Sequence, residues 1–363
     1  MKRMRTRQIR LGNVRIGGNA PVSIQSMTNT DTKNIASTVK QIKALERAGC
    51  EIIRVAVKDT ESAIAIKKIK KVISIPLEAD IHFDYHLAIL AAESGADGIR
   101  LNPGNIFKAE QVKHVIGACR SKKIPIRIGA NSGSLREKYK AQKEKPYISG
   151  MVKSVIDYIK IFEKERFFDL MISLKASDVA TTIAAYRKIS QLCNYPLHLG
   201  VTATGCGSEA IIKSAIGIGA LLSEGIGDTI RVSLTGDSKQ EITVARQILQ
   251  ALGLRRFYHE IISCPTCGRC QVNLEKIVSD FKNKLSAMNN HLSQPKAGPP
   301  PAGTNQLLAI ALMGCEVNGP GEAKDADIGI AFGRDSGILF KKGRIVKKVK
   351  ARDAVKELLN ALF

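Results

Sequence analysis

Short apolar runs rich in Val and Ile recur along the first two thirds of the chain, and segments with apolar positions at helical spacing fill the intervals between them. Eight such runs predict strands: Val22–Gln25, Ile52–Val55, Leu77–Asp80, Gly98–Leu101, Ile126–Gly129, Leu170–Ser173, Leu197–Val201 and Thr229–Val232. The intervening periodicity predicts helices over Ile35–Ala48, Glu61–Lys71, Tyr85–Glu93, Ala109–Ser121, Met151–Lys164 and Val179–Gln191. Strictly alternating strand and helix imply a parallel sheet, and eight such units in about 260 residues match the size of a closed (β/α)8 TIM-type barrel. A doubly wound open sheet fits less well, because no glycine-rich dinucleotide turn follows the first run.

The pattern changes near Ile262. A cysteine-rich turn leads into a helix over Leu274–Leu285, and a polar, Pro-rich insertion occupies about 289–305. Strands are expected over Leu307–Met313, Asp327–Phe332, Gly337–Phe340 and Ile345–Val349, with a closing helix over Ala351–Leu362. The expected organisation is therefore a barrel over residues 1–262 and a small α+β domain over 263–363.

The ends of the barrel strands are unusually polar, and in a TIM-type barrel the C-terminal strand ends build the active site. Five cations converge there from five strands: Arg54, Arg100, Arg127, Lys175 and Arg231. Parallel strands are buried on both faces, so a charge on one is costly unless it is paired or receives a ligand. One reading is internal ion pairing to Glu78, Asp80 or Asp228. The other, favoured because carboxylates are fewer than cations at these ends, is a phosphate or diphosphate cradle. Asp80 ends the third run, His82 follows it, and both share its rim. Histidines 86, 114, 198, 259 and 291 form no pair at metal-ligand spacing and read as surface or packing residues.

Composition adds one question. The 363 residues carry 56 Lys and Arg against 33 Asp and Glu, a formal charge of +23, with 44% hydrophobic and 25% charged residues. That is a globular composition and excludes a disordered or collagen-like chain. The charge admits nucleic acid or a small polyanion as partner. The basic segment Lys341–Phe363 has a single aromatic, at its end, which argues against a base-stacking platform and makes nucleic acid the weaker choice. No run of eighteen apolar residues occurs, and the basic Met1–Arg7 is not followed by a signal-peptide core, so a cytoplasmic protein without a membrane span is expected.

Eight cysteines in that compartment point to metal or redox chemistry rather than disulfides. Cys264, Cys267 and Cys270 share one turn, and Cys315 sits on a Gly-rich loop near Glu322. Spacing alone leaves a structural zinc site and an iron–sulfur cluster both open.

Several segments closely resemble the 4-hydroxy-3-methylbut-2-enyl diphosphate synthase family, in its bacterial two-domain form. They are Gln25–Thr30, Ala79–Phe83, Arg100–Asn105, Ser173–Asp178, Ser223–Asp228, the Cys-Pro-Thr-Cys turn at 264–267 and Gly-Cys-x-Val-Asn-Gly-Pro-Gly-Glu at 314–322. The resemblance runs from about residue 5 to the C-terminus. It implies reductive ring opening and dehydration of 2-C-methyl-D-erythritol 2,4-cyclodiphosphate, with electrons from flavodoxin or ferredoxin passing through a [4Fe-4S] cluster. It implies cluster ligands at Cys264, Cys267, Cys315 and Glu322, with Glu322 also catalytic together with Asp80 and His82. Substrate-binding positions fall on Arg54, Arg100, Asn102, Arg127, Asn131, Lys175, Thr202, Arg231 and Ser233. It also implies a homodimer in which the cluster domain of one subunit closes over the barrel of the other. Two departures stand out: Ala203 occupies a position where the family usually has Glu, and Cys270 is an additional thiol, read as a free thiol on the turn.

Overall fold

A computed structural model describes residues 2–140, 147–291, 307–316 and 323–362. The chain divides into two units, Met1–Arg255 and Arg256–Phe363.

All eight expected runs of the first unit form strands: β3 (Ser23–Met27), β4 (Ile52–Val57), β5 (Leu77–Ile81), β6 (Gly98–Leu101), β7 (Ile126–Asn131), β8 (Leu170–Lys175), β9 (His198–Leu199) and β10 (Thr229–Ile230). They lie in the order β8-β7-β6-β5-β4-β3-β10-β9, every described pairing is parallel, and a single parallel bridge between Ile172 and Leu197 brings the two ends together. The result is a nearly closed eight-stranded barrel. An antiparallel hairpin of β1 (Ile9–Leu11) and β2 (Val14–Ile16), which periodicity did not reveal, buries Ile9, Leu11 and Ile16 against Ile52 and Met171 at the start of the barrel strands.

Local chemistry sets where the helices begin. Asn34, Asp59 and Asp178 each end a βα loop and accept a backbone N–H of the following first turn, from Ser37, Ser62 and Thr181 respectively. The helices Ile35–Ala48, Thr60–Lys70 and Val179–Leu192 that follow turn residues such as Ile42, Leu45, Ile66, Ile69, Tyr186 and Ile189 into the layer around the barrel.

In the second unit β11 (Glu260–Ser263) pairs parallel with β12 (Ala309–Met313), and β12 pairs parallel with β13 (Ile328–Phe332). Strands β14 (Ser336–Lys341) and β15 (Arg344–Lys350) add an antiparallel edge. The helix Leu274–His291 packs Leu274, Phe281 and Leu285 onto Ile310, Leu312, Ile330 and Phe332, with Leu358 and Leu359 of the last helix in the same core. The unit thus begins ahead of the break expected at Ile262, because Glu260–Ser263 finds its partner strand some fifty residues later rather than in the barrel. Most of the Pro-rich insertion lies outside the described residues, as does Glu322 with the Val-Asn-Gly-Pro-Gly segment before it. Among the described residues no helix is long and apolar enough to cross a membrane.

Candidate active site

The interior of the barrel carries charge where branched apolar side chains usually fill such a lumen. Gln25, Glu78 and Arg127 come from alternate strands, as the members of one interior layer do. Arg127 Nη2 lies 2.6 Å from Glu78 Oε2, its Nη1 donates to Gln25 Oε1 at 2.8 Å, and Gln25 Nε2 donates back to Glu78 at 3.1 Å. The Arg127 side chain is 0% exposed. Burial pulls its guanidinium below the usual arginine range while the Glu78 carboxylate opposes that shift. Arg127 thus engages Glu78 and Gln25 through its two terminal nitrogens, while its Nε is buried without a hydrogen-bond partner among the described residues.

The other four cations sit nearer the strand ends. Asp80 Oδ1 accepts from Arg100 Nη1 at 3.0 Å, and its Oδ2 lies 3.5 Å from Arg54 Nε. Burial pushes the Asp80 carboxyl up, but the Arg54, Arg100 and Arg127 guanidiniums outweigh it and hold the group at about 2. A carboxylate pinned in this way carries no proton at neutral pH, and its two oxygens hold Arg54 and Arg100 beside each other. Met27 Sδ accepts from Arg54 Nε and Nη2 at 3.2 and 3.0 Å and lies 3.8 Å from Arg231 Nη1. Arg231 pairs at 3.6 Å with Glu241, which also accepts from Ser26 Oγ and the Leu234 backbone N–H. The helix Ser238–Ala251 contributes this carboxylate, so an inspection confined to strand ends overlooks it.

Lys175 is paired differently. It is buried, and its Nζ lies 3.3 Å from Nε2 of the fully buried His198. Two glycines make room for these long side chains: a Cβ at Gly129 would stand 2.4 Å from Arg100 Nε, and one at Gly200 would stand 2.7 Å from Lys175 Nζ. At Gly200 the added carbon would also stand 2.7 Å from the Arg231 carbonyl oxygen, a backbone atom that cannot swing aside as a side chain can.

The neutral candidates occupy the rim. Asn102 is buried, donates to Ser134 Oγ at 2.9 Å and accepts from the Gly104 backbone N–H at 2.9 Å, so its side chain shapes its own loop. Asn131 stands at the end of β7 in register with Lys175, and both asparagines line a small cavity that Arg136 also borders. Thr202 and Ser233 follow β9 and β10, and their loops are tied by a hydrogen bond from Thr204 Oγ1 to the Ser233 carbonyl. Ala203, exposed between Thr202 and Thr204, has φ +54°, a left-handed conformation that brings no acidic group to the rim. His82 lies on the loop after β5, where its carbonyl accepts from Asn105 Nδ2 and its ring Nδ1 is buried without a hydrogen-bond partner. His198, read as a surface or packing residue, is fully buried and also contacts Lys175 from the neighbouring strand.

In the second unit, Cys264 ends the β11 segment and Cys315 follows β12, so parallel pairing of the two strands brings their ends together. The Gly314 backbone N–H donates to Cys264 Sγ at 3.2 Å, and Cys315 is buried. Cys267 is exposed on the turn. Cys270 donates to the Val272 carbonyl at 3.2 Å and packs against the core around Leu274. Among the described residues no three Cys, His, Asp or Glu side chains stand in metal-binding geometry. The donor chemistry nonetheless suits iron: three thiols on two adjoining loops, one already accepting a backbone N–H as cluster sulfurs do.

The family model described as "GcpE TIM-barrel domain" matches residues 6–246, and that described as "GcpE protein C-terminal domain" matches 260–362. A protein of Clostridium perfringens named 4-hydroxy-3-methylbut-2-en-1-yl diphosphate synthase (flavodoxin) is 51% identical over 362 residues, covering 100% of this chain and 99% of its own. A protein of the same name from Thermodesulfovibrio yellowstonii is also 51% identical, over 100% of this chain and 98% of its own.

Proposed function

Starting from the premise that this chain belongs to the GcpE family of 4-hydroxy-3-methylbut-2-en-1-yl diphosphate synthases, and so reductively opens and dehydrates 2-C-methyl-D-erythritol 2,4-cyclodiphosphate, we propose how its parts divide the work. The barrel mouth binds the cyclic diphosphate, and the second unit holds a [4Fe-4S] cluster through Cys264, Cys267, Cys315 and Glu322. The observation that carries this reading is the convergence of Arg54, Arg100, Lys175 and Arg231 on one end of the barrel with too few carboxylates to neutralise them.

In this reading the four cations grip the two phosphate groups, and Asn102, Asn131, Thr202 and Ser233 surround the carbon skeleton. Asp80 aims Arg54 and Arg100, while Arg127 beneath them adds charge without contact. As the ring C–O bond breaks, negative charge grows on the departing phosphate oxygen, and fixed guanidiniums stabilise that charge without reorganising. His82, at the rim, is the candidate to hold a proton near the reacting carbons, since Ala203 supplies none. When bound, the cluster supplies the two electrons that the reaction consumes. Glu322 is a hard ligand on a site otherwise made of soft thiolates, and it is the ligand most readily displaced. The reductant is a flavodoxin, the carrier in the relatives' names, with ferredoxin as the alternative. A second copy of the chain is proposed to bring its cluster unit over the barrel.

The rival reading, a basic nucleic-acid-binding protein with a structural zinc, leaves the polar strand ends without a purpose. Metal analysis separates the two. Protein purified without oxygen is expected to be brown and to contain iron and acid-labile sulfide in equal amounts; a colourless protein holding zinc in their place would refute the cluster assignment.

A further inference from the structure

The barrel mouth holds one cation whose partner is not a carboxylate. Arg127 pairs with Glu78, Arg54 and Arg100 with Asp80, and Arg231 with Glu241. Among the described residues Lys175 on β8 instead hydrogen-bonds only His198 of β9, whose ring Nδ1 is buried and unpartnered there. The charged groups around Lys175 come from every side: Arg54 of β4, Arg100 of β6, Arg127 of β7 and Arg231 after β10, with Glu78 and Asp80 of β5 and Glu241 of the last barrel helix opposing them. His82, beside Asp80, is the remaining titratable group on that rim.

Four permanently charged guanidiniums against three carboxylates already leave one positive charge uncompensated. An ammonium on Lys175 would make it two, in a buried site. A cyclic diphosphate carries two negative charges, one on each phosphorus, so with ligand bound the site is balanced only when Lys175 is protonated. Histidine is suited to serve both states. With its proton on Nε2 it donates to a neutral amine, and with its proton on Nδ1 the same Nε2 accepts from an ammonium. A carboxylate in its place would keep Lys175 charged throughout.

We propose that binding of the cyclic diphosphate is coupled to uptake of one proton from solvent by the Lys175–His198 pair, with His198 as a positioning residue that hydrogen-bonds Lys175 in either charge state. The proposal rests on the reading that the barrel mouth takes this substrate. Burial, followed by the charges of Arg54, Arg231, Arg127 and Arg100, draws the Lys175 ammonium well below its ordinary range, and burial with Arg127 and Lys175 does the same to His198, both in the required direction.

The linkage has a definite sign. Because the bound form holds one more proton than the free form, affinity is greatest at low pH and falls by up to about tenfold per pH unit as pH rises, until the bound site loses its proton as well. The test is titration calorimetry of the oxidised, cluster-loaded protein with the cyclodiphosphate and no reductant, near pH 8, in two buffers of different protonation heat. The substrate's phosphates have no ionisation near that pH, so any buffer-dependent heat reports protons taken up by the protein. Uptake close to one proton per site is expected. Binding with the same heat in both buffers and a pH-independent Kd would overturn the proposal while leaving the substrate assignment intact; no binding at all would instead overturn that assignment. Lys175→Met is expected to bind more weakly and without proton uptake, because the amine that takes up the proton is gone. Should that variant not fold, His198→Gln, which retains a donor and an acceptor, is expected to keep the uptake, and its loss in folded protein would contradict the role given to His198.

Discussion

Replacing Cys315 by Ser is expected to abolish turnover while leaving the barrel able to bind the cyclic diphosphate. Cys315 is buried at the end of β12, one residue after the Gly314 N–H that holds Cys264 Sγ. The three proposed thiolate ligands come from two loops, and Cys315 is the sole thiol on its loop, so its loss leaves that loop tied to the iron only through Glu322, the ligand most readily displaced. Serine offers a hard oxygen where a soft thiolate is wanted. Losing a group that merely supports a metal ligand already costs roughly 10- to 100-fold, and losing a ligand itself should cost more. The barrel unit has its own core, so a substrate-induced rise in its thermal transition should persist in the variant. The visible spectrum and kcat report the first effect, and the thermal shift reports the second. A variant with wild-type kcat would exclude Cys315 as a ligand.

Replacing Asp80 by Asn is expected to destabilise the barrel by about 3 kcal/mol, at the lower end of what breaking a buried ion pair costs, and to lower kcat/KM by on the order of a hundredfold through loss of aim in Arg54 and Arg100. The amide keeps an acceptor for Arg100 but leaves both guanidiniums unneutralised. Because the ligand's own charges offset that repulsion, saturating cyclodiphosphate should raise the variant's thermal midpoint more than the wild type's. The wild-type pH profile carries the same information. The Asp80 carboxyl is held at about 2, below its unfolded range. Its contribution is therefore fully present above about pH 4 and is lost as pH falls through about 2, and this part of the acid sensitivity should be missing in the Asn variant. Equal stability of the two proteins at neutral pH would mean that Asp80 does not organise the mouth.

The barrel was legible in the sequence because its signals are local. Each strand is a short apolar run, and several following helices begin on an Asn or Asp that caps its own first turn. The convergence of cations was legible for the same reason, since a TIM-type barrel sends every strand end to one face. What those cations touch was not, because pairing joins residues far apart in the chain: Arg127 with Gln25 and Glu78, and Arg231 with a carboxylate on a helix. Internal ion pairing, one of the two sequence readings of the cations, applies to them unequally. Arg127 is an internally paired charge, Arg54 and Arg100 share a single carboxylate, and Lys175 lacks one among the described residues. The contact of His198 with Lys175 was not legible either, because it joins two neighbouring strands and no motif marks it. Strand β11 was missed because its partner is β12, beyond the long helix and the Pro-rich stretch, and nothing near Glu260 signals that pairing.

The high positive charge divides accordingly. A few cations are buried in the barrel, and the larger excess, including the exposed Lys and Arg of β15, is solvated surface.

The most direct test of the central claim is electron-balanced turnover: protein reconstituted without oxygen, given the cyclodiphosphate and a known amount of reduced flavodoxin, with product identified by mass spectrometry. The expected result is one 4-hydroxy-3-methylbut-2-enyl diphosphate for every two electrons consumed, and none without reductant. Ring opening that proceeds equally well with no electron donor would contradict it.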